Sequence, residues 1–319
     1  MNIKNLIFGG TSLFLISCQQ TVRNQNDAAL KEKPVFSERK VVKTHEYELD
    51  SMIVIDEWSL YDNQLICKSR KNDFFFYHFD LNYFSCRKAW GTKGEGPDEF
   101  IAPYFLSLSP TSRLVIDNGK RKVFLWEGEK AVKTLPMPAN VVSSPLIYNY
   151  PLIGYKEQSP QKIVWRLQNM ETSERTDSLI FTDDSRQGKS ALYDFCWNIH
   201  GKKVVCASLY EERFMVAEIQ NDKLVNRSLY CGSDLIDEGK PWYSDVQCTD
   251  DSIYLLSQQM VDMSTGKGYS VVEIYDYDGN PKMMIELDII ARRMLIDAKH
   301  RRLLFHSPMD DVIHVLDLE

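Results

Sequence analysis

Short apolar runs separated by turn residues fill most of the chain. The runs are rich in Val, Ile, Tyr and Phe, as in SMIVID (51–56), RLVID (113–117) and RRLLFHS (301–307). These residue types are enriched in strands, and short apolar runs bounded by turn residues are typical of strands. A helix would need ten or more residues at helical spacing without a breaker, and only residues 288–294 approach that pattern. The sequence therefore predicts an all-β protein.

The apolar runs recur as sets at a mean period of roughly 47 residues, which is the length of a four-stranded propeller blade. Each copy has an apolar position in two successive strands, namely Leu65 and Phe75, Leu114 and Val123, Leu152 and Val164, Val204 and Phe214, Ile253 and Val272, and Leu303 and Val312. Six copies fill residues 43–319, so we predict one six-bladed β-propeller domain. Two packed β-sandwiches are the rival, but they do not predict this regular spacing.

Closure of the ring is predicted from the two ends of the chain. The last copy ends at Leu318 with three strands of its own, and the run VVKTHEYEL (41–49) lies near the start. This N-terminal strand can supply the fourth strand of the last blade. Closing the ring in this way removes exposed strand edges.

The first residues have the pattern of a bacterial lipoprotein signal. A lysine near the start is followed by an apolar stretch, residues 6–16, which is too short to span a bilayer, and then by Leu15-Ile16-Ser17-Cys18. We predict a signal peptide at residues 1–17, lipidation of Cys18, and a polar tether at residues 18–42. The expected location is the outer membrane, facing the periplasm. An ordinary signal peptide or a buried N-terminal strand is the alternative.

The six remaining cysteines lie at positions without CxxC spacing, which does not indicate a dense disulfide framework. Cys196 and Cys206 flank the turn at residues 200–202, and antiparallel pairing is expected to place them opposite each other. They can form a disulfide only at some ladder positions, so two buried free thiols stay an equal alternative.

The charge excludes one class of partner. The formal net charge is −7, and no run is dense in Lys or Arg. A nucleic-acid-binding protein would need a basic face, so we expect no nucleic-acid partner. Membrane contact is expected only through the lipid at Cys18.

The stretch WGTKGEGPDEF (90–100) is interpreted as a tight connection between two blades. Gly94 and Gly96 are expected at positive φ, Pro97 is expected to fix the exit, and Phe100 is expected to wedge between the blades. A phosphate-binding loop would need a buried parallel strand before it and a helix after it, and neither context is present.

This motif, Gly91, Gly94, Gly96, Pro97, Glu99 and Phe100, together with the lipobox and the blade repeats, resembles the TolB-like and NHL-like six-bladed propeller lipoproteins of Gram-negative bacteria. The motif covers about a dozen residues, and the blade pattern covers most of the chain. The resemblance implies a propeller, a cell-envelope location, and binding of a ligand or a protein.

In a propeller, the connections between blades and those between second and third strands share one face, where ligands usually bind. The candidate binding residues from these loops are Arg70, Lys71, Asp73, Lys93, Glu95, Glu99, Asp117, Asn118, Arg121, Tyr210, Glu211, Arg213, Gln258, Asp310 and Asp311. Because both charge signs are present, the set favours a polar ligand or a protein partner. Each residue alone is more often simply solvated.

Catalytic motifs are missing from the sequence. It contains no GxSxG and no HExxH, and the histidines lack metal-ligand spacing. The run DYDGN (276–280) fails as a calcium loop and is expected to be a hairpin turn. We therefore expect a non-catalytic lipoprotein, without a cofactor, that binds an envelope protein, peptide or glycan. The alternative is a calcium-dependent propeller hydrolase or lactonase with its metal in the central channel.

Overall fold

The computed structural model of this protein describes residues 23–24, 28–49, 53–61, 63–107, 112–127, 130–137, 146–149, 151–158, 163–180, 195–209, 211–232, 242–262, 267–307 and 312–318. These residues contain twenty-seven strands and no helix. Accordingly, the described ranges include no helix that is long and apolar enough to cross a membrane.

Four short strands come first along the chain. They are β1 (Arg23–Asn24), β2 (Ala29–Glu32), β3 (Arg39–Val42) and β4 (His45–Glu48).

The other strands follow in six sets, which we number as blades 1 to 6. Blade 1 contains β5 (Glu57–Tyr61), β6 (Gln64–Lys68), β7 (Phe74–Asp80) and β8 (Cys86–Thr92). Blade 2 contains β9 (Pro103–Ser107), β10 (Ser112–Asp117), β11 (Lys122–Glu127) and β12 (Lys130–Pro136). Blade 3 contains β13 (Leu146–Asn149), β14 (Leu152–Gln158), β15 (Ile163–Asn169) and β16 (Arg175–Ile180).

Blade 4 contains β17 (Phe195–His200), β18 (Lys203–Ser208), β19 (Arg213–Gln220) and β20 (Lys223–Cys231). Blade 5 contains β21 (Tyr243–Cys248), β22 (Ile253–Asp262), β23 (Lys267–Tyr275) and β24 (Pro281–Leu287). Blade 6 begins with β25 (Arg293–Asp297), β26 (Arg302–His306) and β27 (Val312–Asp317).

Each blade is an antiparallel sheet whose strands follow in chain order, and this confirms the predicted six-bladed propeller. The first strands of neighbouring blades contact one another, β13 with β17, β17 with β21, β21 with β25, and β25 with β5. The first strands therefore line the central axis, and the fourth strands form the outer rim.

The ring closes as the sequence predicts. Strand β4 pairs antiparallel with β27, with His45 opposite Val315 and Glu48 opposite Val312. Blade 6 thus takes its fourth strand from the N-terminal part of the chain. This closure joins the two ends of the ring, so neither end leaves a three-stranded sheet.

Residues 28–42, which we call the N-terminal strap, are part of the propeller although the sequence assigns them to the polar tether. Strands β2 and β3 pair parallel with the outer strands β20 and β24, and β1 pairs with β16 in the same way. Between them, Lys33 is buried and donates to Glu212 at 2.6 Å and to Glu273 at 2.9 Å. Edge strands need only backbone partners, so a polar segment can pair without an apolar pattern in its sequence.

The apolar core is divided among the six contacts between blades. Each of the six clusters of buried side chains joins two neighbouring blades. Between blades 4 and 5, for example, the ring of Phe214 stacks on that of Tyr230 in the same blade, with 4.7 Å between ring centres. Its centre is 4.9 Å from that of Tyr275 in blade 5. Since each blade is covered on both faces only by its neighbours, its second and third strands are apolar on both faces.

Residues 288–294, whose pattern comes nearest to that of a helix, form no helix, since residues 288–292 connect β24 to β25 and residues 293–294 begin β25. One local prediction differs from the structure. Cys196 lies opposite Ala207 and Cys206 opposite Trp197, so the two cysteines are offset by one position and face different blades. A one-residue offset sends strand side chains to opposite faces, which excludes this disulfide; both thiols are free.

Candidate functional site

One end of the propeller carries the loops that the sequence selects. Because the strands of a blade alternate in direction, the second-to-third-strand loops and the blade-to-blade connections lie at the same end, which we call the top end. Residues 69–73, 93–102 and 118–121 are three of the loops there, and they contact one another. Lys93 Nζ, for instance, donates to the carbonyl oxygen of Arg70.

The glycine-rich connection, residues 93–102, is a turn held by its own side chains. Gly91 and Gly94 have φ of +83° and +151°, whereas Gly96 is not left-handed, so the expectation for Gly96 is wrong. The Glu99 carboxylate accepts the Gly96 N–H at 2.8 Å, and a Cβ atom on Gly94 would lie 2.0 Å from Glu99 Oε2. Glycine is therefore required at position 94 so that Glu99 can fold back under the turn.

Two residues of blade 2 fasten this turn. Asp117 is fully buried, and its carboxylate accepts backbone N–H groups from Ile101, Ala102, Gly119 and Lys120. Lys120 Nζ in turn donates to the carbonyl oxygens of residues 96 and 99. The side chains that the turn shape depends on thus belong to the next blade.

Phe100 packs between blades 1 and 2, as the sequence predicts. It is buried and meets Trp90 of blade 1 at 6.3 Å and Phe124 of blade 2 at 6.0 Å, both edge-on. Edge-to-face contacts at these distances are favourable for aromatic rings. The turn therefore also fixes how the two blades pack.

Most of the candidate binding residues serve the loops themselves or point into solvent. Arg70 pairs with Asp56 at 3.1 Å, and Arg213 pairs with Glu211. The Asn118 N–H donates to the carbonyl oxygen of residue 102. The exposed candidates are Lys71, Asp73, Lys93, Glu95 and Arg121. Tyr210, Asp310 and Asp311 lie outside the described residues.

A concave site lies on the axis, near these loops. We call it the channel cavity; its volume is about 600 Å³. Its lining comes from the beginnings of the first strands β5, β9, β17, β21 and β25 and from second-strand residues including Lys68, Lys156 and Gln258. Because first strands begin at the top end, these lining residues place the cavity at the end of the axis that carries the predicted face. Its volume is in the range of small-molecule sites.

Aromatic rings form much of the cavity wall. The six that line it are Trp58, Phe76, Tyr104, Phe105, Phe195 and Trp197. The ring centres of Phe76 in blade 1 and Phe105 in blade 2 are 5.7 Å apart. Trp197 packs edge-on against Trp165, also with 5.7 Å between ring centres. Packing of this kind holds the rings in place before a ligand arrives, which lowers the entropy cost of binding.

Polar groups lie between the rings. Ser59, Asn198, Ser244, Gln247 and Gln258 line the same cavity. Gln258 Nε2 donates to the Ala291 carbonyl at 2.9 Å, so Gln258 is the one candidate binding residue found in the cavity wall among the described residues. Hydroxyl and amide groups among aromatic rings suit a ligand that has both flat apolar surface and hydrogen-bonding groups.

Lys68 and Glu57 form a partly buried pair at the blade 1 side of the cavity. Their charged atoms are 3.4 Å apart, and Lys68 Nζ lies 3.9 Å from the centre of the Tyr104 ring. Burial lowers the pKa of Lys68, and Glu57 acts in the opposite direction. Burial also raises the pKa of Tyr104. The pair therefore contributes little net charge to the cavity.

Asp245, in the blade 5 part of the cavity wall, joins blades 5 and 6. It is buried, and its carboxylate accepts the Val246 N–H at 2.9 Å and the Met294 N–H at 2.8 Å. Burial raises the pKa of this carboxyl group, while the guanidinium of Arg293 and these hydrogen bonds act to lower it. Its oxygens are therefore engaged in holding β25 against β21.

Three other cations reach the cavity. Lys156 Nζ donates to the carbonyl oxygen of Phe195 at 2.9 Å. Arg292 and Arg293, which we call the arginine pair, stand at the beginning of β25. Within the ranges that the structure describes, neither guanidinium forms a hydrogen bond or a salt bridge, and Arg293 acts on Asp245 only through its electrostatic field. The arginine pair is thus available to a ligand.

The described part of the chain contains no group of three or more His, Cys, Asp or Glu side chains that could hold a metal ion. Within the cavity wall, the carboxylates are Glu57 and Asp245, and both are engaged as described above. Residues 276–280 form a turn with Gly279 at φ +83°, in which the Asp276 carboxylate accepts backbone N–H groups from residues 278 and 280. This is the expected hairpin.

Sequence reasoning selected the loops and missed the residues that directly follow them. Glu57, Tyr104, Phe195, Asp245 and Arg293 occupy equivalent places, within the first three residues of a first strand. A usable signal was present: once blades are assigned, the beginning of each first strand must face the axis at the top end. Sets such as EWS (57–59), PYF (103–105) and RRM (292–294) could then have been selected.

Comparison with known proteins gives the fold. Neither a protein-family model nor a curated protein sequence matches the chain. Among solved structures, the chain is similar to a protein from Bacteroides fragilis NCTC 9343 that is described as exported, with a TM-score of 0.57 and 11% identity over 88% of this chain and 100% of that one.

Two further structures resemble the chain at a TM-score of 0.50. One is Kluyveromyces lactis Hsv2, with 15% identity over 82% of this chain and 73% of that one. The other is a protein of unknown function from Desulfotomaculum acetoxidans DSM 771, with 12% identity over 83% and 82%. At these identities, the likeness establishes the fold and leaves function to the site itself.

Proposed function

We propose that this protein is a non-catalytic binding protein of the bacterial cell envelope, whose channel cavity holds part of a peptide, a glycan or a partner protein. The observation that carries the proposal is the channel cavity itself, of about 600 Å³, which lies at the top end of the axis and has six aromatic rings in its wall. A pocket of this size with a few convergent polar groups is the usual form of a ligand site. The top-end loops then form the rim around its mouth.

The envelope location is supported by the sequence of the first eighteen residues and by the resemblance to propeller lipoproteins. A solved structure that shares the fold is described as exported, which agrees with it. Metabolic labelling with an alkyne-tagged fatty acid tests lipidation directly. We expect the label on the protein to be lost in Cys18→Ser and kept in Cys86→Ser; equal labelling of the two variants would contradict the anchor.

The binding proposal is tested by a thermal-shift screen of the full chain in detergent micelles against peptides and glycans. A ligand at about a hundredfold its dissociation constant adds about 2.7 kcal/mol to the free energy of unfolding, which is easily measured. Calcium and EDTA in separate wells test the hydrolase alternative. A calcium-dependent shift that EDTA reverses, together with hydrolysis of a lactone, would favour the enzyme.

A variant that fills the cavity locates the binding site. Ser59 lines the cavity, and Ser59→Trp puts a large ring into it. The matched control is Thr134→Trp, which adds the same ring at an exposed position of the outer strand β12. We expect the shift to disappear in Ser59→Trp and to persist in Thr134→Trp. An undiminished shift in Ser59→Trp would show that the ligand binds elsewhere.

A further inference from the structure

The charges of the channel cavity differ in sign from those of the whole protein. Four cationic side chains line it, Lys68, Lys156, Arg292 and Arg293, against the two carboxylates of Glu57 and Asp245. Four minus two leaves a formal charge of +2 in the cavity, whereas the chain carries −7. A cationic cleft within an acidic protein attracts anions to that place and repels them from the rest of the surface.

Two of the four cationic side chains of the cavity belong to the arginine pair. Glu57 is 3.4 Å from Lys68, which accounts for one carboxylate. Asp245 accepts hydrogen bonds from two backbone N–H groups. It interacts with Arg293 only electrostatically, without a hydrogen bond or salt bridge between the two side chains. Other arginines of the protein have carboxylate partners at short distance, such as Arg166 with Glu157 and Arg302 with Asp297, both at 2.8 Å. The arginine pair lacks such a partner among the described residues.

The chemistry of the two guanidiniums indicates the group that completes the site. A guanidinium presents N–H donors in a planar fork that matches the two oxygens of a carboxylate. Aromatic rings line the same cavity and offer flat apolar surface. A ligand that fits both has an acid group joined to a ring.

We propose that the channel cavity binds a small organic carboxylate that carries a ring, with the carboxylate on Arg292 and Arg293 and the ring against the aromatic wall. This inference rests on the proposed binding function and specifies its ligand. The acid can be a uronic acid of a glycan or the C-terminal carboxylate of a peptide ending in an aromatic residue. Both sources present the same acid-plus-ring chemistry to the site.

The test compares acids with their neutral counterparts by calorimetry on the full chain in detergent micelles at pH 7. One pair is trigalacturonate and its methyl ester; the other is N-acetylphenylalanine and its amide. We expect at least one acid to bind about tenfold or more tightly than its neutral counterpart. The pair that shows the preference identifies the source, glycan or peptide.

Two variants and one control place the acid on the arginine pair. Arg292→Gln and Arg293→Gln should each weaken binding of the acid by about tenfold and leave the neutral compound unaffected. Lys299→Gln removes one positive charge from an exposed position of the same blade, and it should leave both affinities within about twofold, because solvent screens a charge there.

Each remaining outcome counts against the proposal in a distinct way. If neutral compounds bind as tightly as acids and Ser59→Trp blocks both, the cavity is a binding site and the carboxylate inference is wrong. If acids are preferred but Arg292→Gln and Arg293→Gln change nothing, the acid binds elsewhere. If no compound binds below about 10 mM, where even a weak specific site would be detected, the carboxylate inference fails, and the thermal-shift screen with Ser59→Trp decides the binding function separately.

Discussion

The charged side chains of the top-end loops and those of the channel cavity differ in what they contact. In the loops, Asp117, Glu99 and Lys120 are engaged by backbone groups of the loops themselves, so their charges fix a shape. In the cavity, the arginine pair lies in the same wall as six aromatic rings, and neither guanidinium has a hydrogen-bond or salt-bridge partner among the described residues. Polar residues at the rim of this propeller thus fix the shape of the cavity entrance. Polar residues a few positions further along each first strand can instead hold a ligand.

The largest effect on stability is expected for Asp117→Ala. The change leaves four backbone N–H groups of the rim without their acceptor, and unsatisfied buried donors are costly. We expect the free energy of unfolding to fall by about 3 kcal/mol, measured by chemical denaturation. An unchanged midpoint would show that the carboxylate does not hold the rim.

Gly94→Ala should have the next largest effect. The new Cβ atom would collide with Glu99 Oε2, and the backbone at φ +151° is unfavourable for alanine. We expect a loss of about 2 kcal/mol. The same substitution made in a Glu99→Ala background should cost less, because only the backbone strain then remains. Equal costs in the two backgrounds would contradict the role given to Glu99.

A smaller effect is expected from pH, acting through Asp245. Its raised pKa means that its contribution to stability is fully present below the ordinary value of 3.8 and is lost as pH rises through the folded value. On acidification, Asp245 therefore becomes neutral at a higher pH than an ordinary aspartate. The positive charge of Arg293 then loses the negative charge that partly offsets it. Arg293, Cys196 and Gln247 are the groups that face it.

This titration is measured with phenylmethanesulfonate, an anion that stays ionised in acid. We expect its affinity for the full chain to increase by about two- to fivefold as pH falls from about 7 to 4. In Asp245→Asn, which keeps an acceptor oxygen for the Met294 N–H, the increase should disappear. A pH dependence that persists in the variant would assign the effect to another group.

The smallest effect is expected for Glu95→Gln. Glu95 is exposed at the tip of residues 93–102, and its side chain makes no hydrogen bond or salt bridge with the residues that the structure describes. Both the free energy of unfolding, within about 0.5 kcal/mol, and the affinity for the acid ligand should be unchanged. A loss of affinity without a loss of stability would move the binding site from the cavity to the rim.

The fold was accessible from sequence because its signal is repeated. The apolar pairs such as Leu114 and Val123 recur in every blade, since the second and third strands are covered on both faces. Closure by residues 45–48 followed from counting strands. The N-terminal strap was not recognised, because β2 and β3 are exposed edge strands. They are joined to the propeller by backbone pairing, by the buried Lys33, and by Phe36, which packs on Tyr275.

The site was less accessible, because its residues are defined by position in the ring and not by spacing in the chain. Glu57, Phe195 and Arg293 are far apart in sequence and meet only after the ring closes. Single-residue details depend on register: the offset of Cys196 from Cys206, and the ordinary backbone of Gly96, follow from hydrogen bonding that the sequence does not reveal. That the loops selected from the sequence share one end of the propeller, in contrast, follows from the strand order alone.

We expect the ligand to enter the channel cavity and not to rest on the rim. The most direct test places one reporter thiol in each region, Ser59→Cys in the cavity and Asp73→Cys on the exposed rim, and follows maleimide labelling of each by mass spectrometry, with and without saturating ligand from the screen. We expect the ligand to slow labelling at position 59 by about tenfold or more and to leave the labelling rate at position 73 unchanged. Protection at position 73 with unchanged labelling at position 59 would contradict it.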